Sequence, residues 1–376
     1  MSHAPVHNRI DVLHLASGDR WAGAEVQLFT LLSQLRQNDG VQPRAVLLNE
    51  GELAQRLRAI DVPVDVLDES RLSSGAIARE LIALLRKYRP HILHTHRQKE
   101  NILGSIANAV SVRARSVRTV HGAEENPPRT LPQKLIRALD RWTGRYLQQH
   151  AIAVSNDLAE KLRSHFDPKQ LVVIENGIDI VRTRKAVAPA EFRKLAPASL
   201  HIGLIGRLDH VKRIDLFLAM AKELLEQPTD KAWHFHVFGE GALEGSLKQI
   251  ASTLNINHAV TFHGHRRDIA GCLAALDAIV MCSDHEGLPM TALEAIALGT
   301  PVIAHNVGGL SPLLAGEAGG ILVDDHSPTG YAEAVRQLLQ NNNVELKEKG
   351  MTRLREHYSA ESNAVKVVDL YRGCLK

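Results

Sequence analysis

Residues 278–304 read AIVMCSDHEGLPMTALEAIALGTPVIA. The apolar run 278–283 has the composition of a buried strand and ends in a polar loop. Pro289 suits the first turn of a helix, and Met290 to Leu298 continues as helix before a second short strand over 302–304. Strand, loop, helix and strand in this order read as a piece of parallel α/β sheet.

The same alternation runs from end to end. Strands are expected over 10–15, 44–48, 62–67, 91–96, 117–121, 151–155 and 172–175, with helical spacing between most of them, as over 24–37 and 75–88. A second series follows over 201–206, 234–239, 260–264, 278–283 and 302–304. Between the two lies 176–199, with an Asn-Gly pair, two prolines and a basic cluster. The expected organisation is a first Rossmann-like domain over 1–176, a linker over 177–199 and a second domain over 200–358. Helical segments over 329–340, 344–357 and 360–375 exceed what the second sheet needs, so the last, within 359–376, is expected to return to the first domain. Two doubly wound α/β domains facing a central cleft would put the carboxyl ends of both sheets where ligands of such folds bind.

Length and composition agree. A chain of 376 residues, 44% hydrophobic and 23% charged, suits two or three globular domains and excludes a disordered chain. The formal charge of +3 excludes a general polyanion binder, and no nucleic-acid partner is expected. It hides an asymmetry: the first 175 residues carry 24 basic and 19 acidic side chains, the remainder 21 and 23. Three cysteines without paired spacing suggest a reducing compartment, and the twenty histidines show no zinc spacing. Residues 1–9 lack the apolar core of a signal peptide, and no uncharged apolar run approaches the ~20 residues that span a bilayer. The expected location is the cytoplasm, at most the inner face of a membrane.

Candidate chemistry sits at strand ends. Glu286 lies in the loop after 278–283 and Glu294 about one turn inside the following helix, so both can address a ligand lying across the helix N-terminus. Backbone N–H groups near Met290 and Thr291, with the helix dipole, favour an anion such as phosphate, and a carboxylate can take paired hydrogen bonds from a sugar diol. Two such acids in isolation would read as solvated surface. Gly206-Arg207-Leu208, with Lys212 further on, follows strand 201–206 and suits a diphosphate. Gly239-Glu240-Gly241 is a further tight turn, and His263-Gly264 could offer backbone groups to a base edge. In the first half, Ser17-Gly18-Asp19-Arg20-Trp21-Ala22-Gly23-Ala24-Glu25 forms a flexible phosphate-approach loop without the dinucleotide spacing. His121-Gly122 closes another strand, where a histidine could bond a hydroxyl or simply be structural.

Taken together and in order, these pieces resemble glycosyltransferase family 4 of the GT-B fold. The resemblance spans nearly the whole chain: the loop near Gly23, His121-Gly122, Val154-Ser155, Asn176-Gly177-Ile178-Asp179, Gly206-Arg207 with Lys212, and the Glu286/Glu294 segment, which is the specific one. It implies retaining transfer of a sugar from a nucleotide-sugar donor without a catalytic metal or cofactor. Arg207 and Lys212 would bind the donor diphosphate, Glu294 the ribose hydroxyls and Glu286 the transferred sugar. Leu288, Pro289, Met290, Thr291 and Gly264 would complete the donor site. His121 would lie against the sugar, and Gly23 would border the phosphates or acceptor. A UDP-sugar is expected over a GDP-sugar. The sequence departs from the family at Trp21-Ala22, where paired glycines are frequent, at Arg213, where a glycine is common, and at Tyr358-Ser359-Ala360, which lacks the usual tryptophan.

The chemistry is consistent with this. Loss of a nucleoside diphosphate develops negative charge that cations and a helix N-terminus can stabilise, and no Asp-x-Asp motif is evident. No second carboxylate is clearly placed as a nucleophile, which favours a same-face mechanism. The acceptor, a glycan or lipid-linked glycan of cell-surface polysaccharide or lipopolysaccharide synthesis, is expected on the first domain. Residues 79–145 hold 14 basic and 5 acidic side chains. Within them, Leu131, Leu135, Leu139, Trp142 and Tyr146 form one stripe of a helix and Lys134, Arg137, Arg141 and Arg145 a neighbouring one. Two readings stand: contact with an anionic membrane, or a domain helix that packs its apolar stripe. Two other functions share the fold. A nucleotide-sugar epimerase would form product without an acceptor, and a non-catalytic partner subunit would bind sugar nucleotide without turnover.

Overall fold

The computed structural model describes residues 9–19, 21–122, 130–189, 191, 198–227, 231–340 and 343–376. Arg20, Glu124, Glu125, Arg129 and most of 190–197, which enter the loop, charge and linker readings above, lie outside the described residues, as does the N-terminal stretch 1–8.

The chain divides into two compact units, Met1–Gly177 with Ala360–Lys376, and Ile178–Ser359. The first holds strands β1 (Ile10–Ala16), β2 (Val41–Leu47), β3 (Val64–Val66), β4 (Ile92–Thr95), β5 (Arg115–Val120), β6 (His150–Ala153) and β7 (Leu171–Val173). They form one parallel sheet in the order β3-β2-β1-β4-β5-β6-β7. The second holds β8 (Leu200–Ile205), β9 (Trp233–Phe238), β10 (Val260–Gly264), β11 (Ala278–Met281), β12 (Val302–His305) and β13 (Gly320–Val323), ordered β10-β9-β8-β11-β12-β13. Both sheets reverse their winding beside the first strand, at β1/β4 and at β8/β11. Such a switch point leaves a crevice at the carboxyl ends of the two strands, and the loops leaving them are the natural ligand contacts.

Strands β1, β8, β11 and β12 are mostly buried and mostly aliphatic, as expected of the interior of parallel sheets covered on both faces. In the second unit Ile202, Leu204, Phe235, Val237, Val280 and Ile303 meet Phe217, Met220 and Tyr331 from the covering helices. In the first, Val12, Val41, Ala45 and Ile92 pack with Leu28, Leu32 and Leu35 of helix Gly23–Gln37. Val367, Val368 and Tyr371 of the C-terminal helix Ala360–Cys374 belong to that same core.

Strand β13 was absent from the sequence reading. Its four residues, GILV, are too short for a periodic signal, and they follow Gly316 and Gly319 in a glycine-rich stretch. Much of the stretch read as a linker is structured: Ile178 pairs with Ser359, and the Asp179 side chain accepts from the Arg182 N–H to cap a turn of helix.

Candidate functional site

The second unit gathers its charged candidates at the β8/β11 switch point. Beyond β8 the chain turns at Gly206 and Arg207, and Asp209 caps a 3-10 turn, His210–Lys212, by accepting from the Lys212 N–H at 3.3 Å. Beyond β11, Asp284 N–H donates to the Val211 carbonyl at 2.9 Å, stitching the two loops together. Lys212 Nζ consequently reaches Glu286 Oε1 at 2.6 Å, and the Ser283 hydroxyl donates to the same oxygen at 2.6 Å. The pair is largely sheltered, with 19% of the lysine side chain and 7% of the glutamate exposed. Arg207 is far more open and pairs with Asp209 at 3.2 Å. Both cations expected at a diphosphate are thus held by acids from their own unit.

Arg213 explains a departure noted above. Its φ of +48° lies in the left-handed region, where glycine is least strained. The arginine is held there by Asp215 at 2.9 Å and Asp284 at 3.3 Å, and the hydrogen-bonded carboxylate of Asp215 raises its pKa further.

Glycines let backbones meet around this site. A Cβ on Gly239, whose φ is +131°, would lie 1.9 Å from the Gly206 carbonyl oxygen. Gly308 and Gly309, after β12, went unnoticed in the sequence. Gly308 has φ +56°, a Cβ there would lie 1.8 Å from the Glu286 carbonyl oxygen, and Gly309 N–H donates to the Gly287 carbonyl at 2.6 Å. Two stacked histidines brace the same loop, with ring centroids 3.8 Å apart: His305 donates to the Ser283 carbonyl at 3.0 Å and His326 to Asp284 at 3.1 Å. Gly308→Ala should therefore push the Glu286 loop away while leaving the sheet intact. The expected result is a loss of donor turnover of roughly tenfold or more, about 1.4 kcal/mol, with unchanged circular dichroism. Wild-type turnover would show that the loop backbone does not position Glu286.

Helix Met290–Leu298 begins at Pro289, which is its N-cap and not, as expected, in its first turn. No side chain caps this end, which leaves its first N–H groups, including those of Met290 and Thr291, directed outward. Leu288 is buried below it. Glu294 retains some solvent-accessible surface, yet burial pushes its carboxyl up to about 7, against the pull of Arg182. No hydrogen bond joins it to Glu286 or to any other described residue, so its oxygens remain acceptors for a ligand. Gly264 has φ +67°, accepts from Gly239 N–H at 2.8 Å, and has nothing nearer than Glu240 at 3.8 Å where a side chain would stand.

In the first unit, His121 follows β5 directly instead of ending it. Burial lowers its pKa to about 4, helped by Arg97. Gly23 is the first residue of helix Gly23–Gln37; the loop glycine with positive φ is Gly18, at +79°. Trp21 is fixed by Arg56 over its ring at 4.3 Å and by Phe29 edge-on, so the loop is pinned where flexibility was expected. Arg97 bonds both Asp19 and the buried Glu25. Sequence reasoning passed over Arg97, because a single arginine after a strand carries no spacing signal.

His14, His94 and His96 lie together, with one nitrogen of each within 4.8 Å of the others. All six ring nitrogens already have a hydrogen-bond partner, so in this structure the group is a hydrogen-bonded cluster. A second ladder, His201, His236 and His263, crosses β8, β9 and β10 with bonds of 2.9 Å.

Two family models match the chain, Glycosyltransferase Family 4 over residues 21–182 and Glycosyl transferases group 1 over residues 192–356. In sequence it is similar to the UDP-Gal:alpha-D-GlcNAc-diphosphoundecaprenol alpha-1,3-galactosyltransferase of Escherichia coli, with 26% identity over 93% of this chain and 96% of that protein. It is 31% identical to the D-inositol 3-phosphate glycosyltransferase of Corynebacterium urealyticum over 58% of this chain, and spans about half (54%) of that relative's length. In structure it is similar to HepE of Anabaena in complex with UDP-glucose, at 18% identity, over 97% of this chain and 100% of that one, with a TM-score of 0.81. WaaG, a glycosyltransferase involved in lipopolysaccharide biosynthesis, matches 95% of this chain and 99% of its own, at 16% identity and a TM-score of 0.71. The structural likenesses show the fold, that of the GT-B glycosyltransferases.

Proposed function

The chain belongs to the group 1, family 4 glycosyltransferases, and we propose that it moves a hexose-type sugar, with retention and without a catalytic metal, from a nucleotide-sugar to a glycan or lipid-linked acceptor. The observation that carries this reading is the Lys212–Glu286 pair at the β8/β11 switch point, in the loop that leads into an uncapped helix N-terminus. Lys212 and Arg207 take the charge that develops on the departing diphosphate, with help from the helix N–H groups. Glu286 holds the sugar and Glu294 the ribose diol, and His121 of the first unit is the other catalytic residue proposed. A UDP-sugar is preferred, in keeping with the UDP named for the Escherichia coli relative and the UDP-glucose in the HepE crystal. Cell-surface polysaccharide or lipopolysaccharide synthesis is the proposed setting. Turnover across UDP-, GDP- and ADP-hexoses, with and without a lipid-linked glycan, tests it. Transfer from a UDP-hexose giving the donor's own anomer supports the reading; a new sugar nucleotide formed without acceptor makes the chain an epimerase.

Glu294 supplies a pH signature. With its carboxyl at about 7, it is mostly protonated one unit below and mostly ionised one unit above. A carboxylate that accepts from a diol must be ionised, so donor KM should fall about tenfold as pH rises by two units through neutrality. Glu294→Gln should flatten the profile. A wild-type KM that is flat or rises over that range would remove Glu294 from the donor site.

No described helix is long and apolar enough to cross a membrane. Helix Leu131–Leu147 nevertheless presents its apolar stripe to solvent, with Leu131 69%, Trp142 50% and Tyr146 65% exposed. It attaches through its polar side, where Thr143 and Gly144 are buried and Asp140 bonds Arg118. Among the described residues of its own unit, the stripe is therefore not packed, contrary to one of the two sequence readings. Contact with the anionic inner face of a membrane is the proposed use, each basic residue contributing ~1 kcal/mol near such a surface. Binding to phosphatidylglycerol vesicles should weaken with salt and fall at least about tenfold in Arg137→Glu/Arg141→Glu. Unchanged co-sedimentation would contradict it.

A further inference from the structure

One face of the first sheet carries a line of imidazoles across β1, β4 and β5. His14 lies directly opposite His94 in the β1–β4 register, and His96 and His121 follow just beyond β4 and β5. Tyr371 of the C-terminal helix reaches into the line. Thr119 Oγ1 lies 2.8 Å from His94 Nε2, and His94 Nδ1 lies 2.6 Å from the Tyr371 hydroxyl. That hydroxyl lies 3.5 Å from His14 Nε2, His14 Nδ1 lies 3.0 Å from His96 Nε2, and His96 Nδ1 lies 3.4 Å from His121 Nε2.

Such a chain has a sense. A neutral imidazole donates at one nitrogen and accepts at the other, so the state of one end fixes every ring. The rings are neutral, because burial holds His14, His94 and His96 well below the ordinary histidine value. His121 is neutral as well, its charged form being disfavoured by burial and by Arg97.

Thr119 decides the sense. Among the described residues its buried hydroxyl has one partner, His94 Nε2. Were it to accept from that nitrogen, its own proton would be a buried donor with no acceptor, which folded proteins rarely tolerate. It therefore donates. His94 is then protonated on Nδ1 and donates to the Tyr371 oxygen, and Tyr371 donates to His14 Nε2. His14 Nδ1–H donates to His96, and His96 Nδ1–H to His121 Nε2. The proton of His121 is left on Nδ1, a nitrogen with no partner among the described residues.

We propose that this buried chain fixes His121 as its Nδ1–H tautomer and so makes it a hydrogen-bond donor to a ligand oxygen, not a proton acceptor. Thr119, His94, Tyr371, His14 and His96 act as positioning residues, and the C-terminal helix contributes to the site through Tyr371. That the ligand oxygen belongs to the transferred sugar rests on the function proposed above; the tautomer does not.

Long-range 1H–15N correlation spectra of the full-length, 15N-labelled protein at neutral pH read the tautomer directly, with His121 assigned by its loss in His121→Asn. The expected spectrum has a protonated Nδ1 and an unprotonated Nε2 at His121. Thr119→Val, which keeps the shape and removes the donor, should mix or reverse the assignment, and Tyr371→Phe should do the same. A protonated Nε2 in the wild type would overturn the proposal, as would a His121 tautomer unchanged in both variants. Donor hydrolysis gives a second readout. His96→Leu should lower kcat about tenfold, the effect of one lost hydrogen bond, with little change in donor KM. His96→Asn, which retains a donor near the place of Nδ1, should recover most of it. If His121→Ala turns over like the wild type, the sugar-side reading fails while the tautomer result stands.

Discussion

Glu286→Ala should lower sugar transfer by about 10²–10³-fold, some 3–4 kcal/mol of transition-state stabilisation. The carboxylate is held by the Lys212 ammonium and the Ser283 hydroxyl, both on Oε1, and Gly308 lies against the residue's backbone carbonyl. A group held this tightly before a ligand arrives needs little reorganisation when charge develops beside it, which is where electrostatic catalysis gains most. Its removal also leaves Lys212 to pair with the diphosphate alone, so UDP itself should bind as well as before or better. Glu286→Gln separates the effects, since the amide keeps the shape and loses the charge. Transfer by Glu286→Ala at the wild-type rate would remove the site assignment.

The largest effect on stability is expected in the first unit. Arg118 is almost wholly buried on β5, where it donates to Asp140 Oδ1 at 2.9 Å and to the Asp140 carbonyl at 3.2 Å, and also bonds Gln148. Burial lowers the arginine's pKa and Asp140 opposes the shift. Removing one partner of a buried pair strands the other's charge, so Asp140→Ala should cost about 3–5 kcal/mol in urea unfolding. Replacing both, as Arg118→Met/Asp140→Leu, should recover much of that loss. A cost below about 1 kcal/mol for the single change would show that solvent or Gln148 already satisfies the guanidinium. The pair also anchors helix Leu131–Leu147, so vesicle binding should weaken with it.

The parallel architecture was legible because short apolar strands alternate with helical spacing, and helix Met290–Leu298 lies where it was expected, with Pro289 as its N-cap instead of in its first turn. Strand β13 was missed because four residues after a glycine-rich stretch carry no period. At the candidate site, Glu286 and Glu294 lie in the loop and helix where the sequence put them, whereas the groups that support Glu286 left no sequence signal. Gly308 and Gly309 matter through a clash that exists only once β11 and β12 lie side by side, and Arg213 is tolerated through carboxylates that the fold supplies. The histidine ladders left a faint trace, His94-Thr95-His96 and His234-Phe235-His236, alternating residues that a strand places on one face. Their meaning required the register between strands. Helix Leu131–Leu147 was legible as amphipathic, but which stripe packs depends on Arg118, a residue of another element.

In the function proposed, the second unit holds a nucleoside diphosphate at the β8/β11 switch point. Hydrogen–deuterium exchange of the full chain with and without UDP tests this most directly. Exchange should slow over residues 206–213, 284–291 and around Gly264, all in the second unit. Protection confined to other segments, or none with any nucleoside diphosphate, would contradict it.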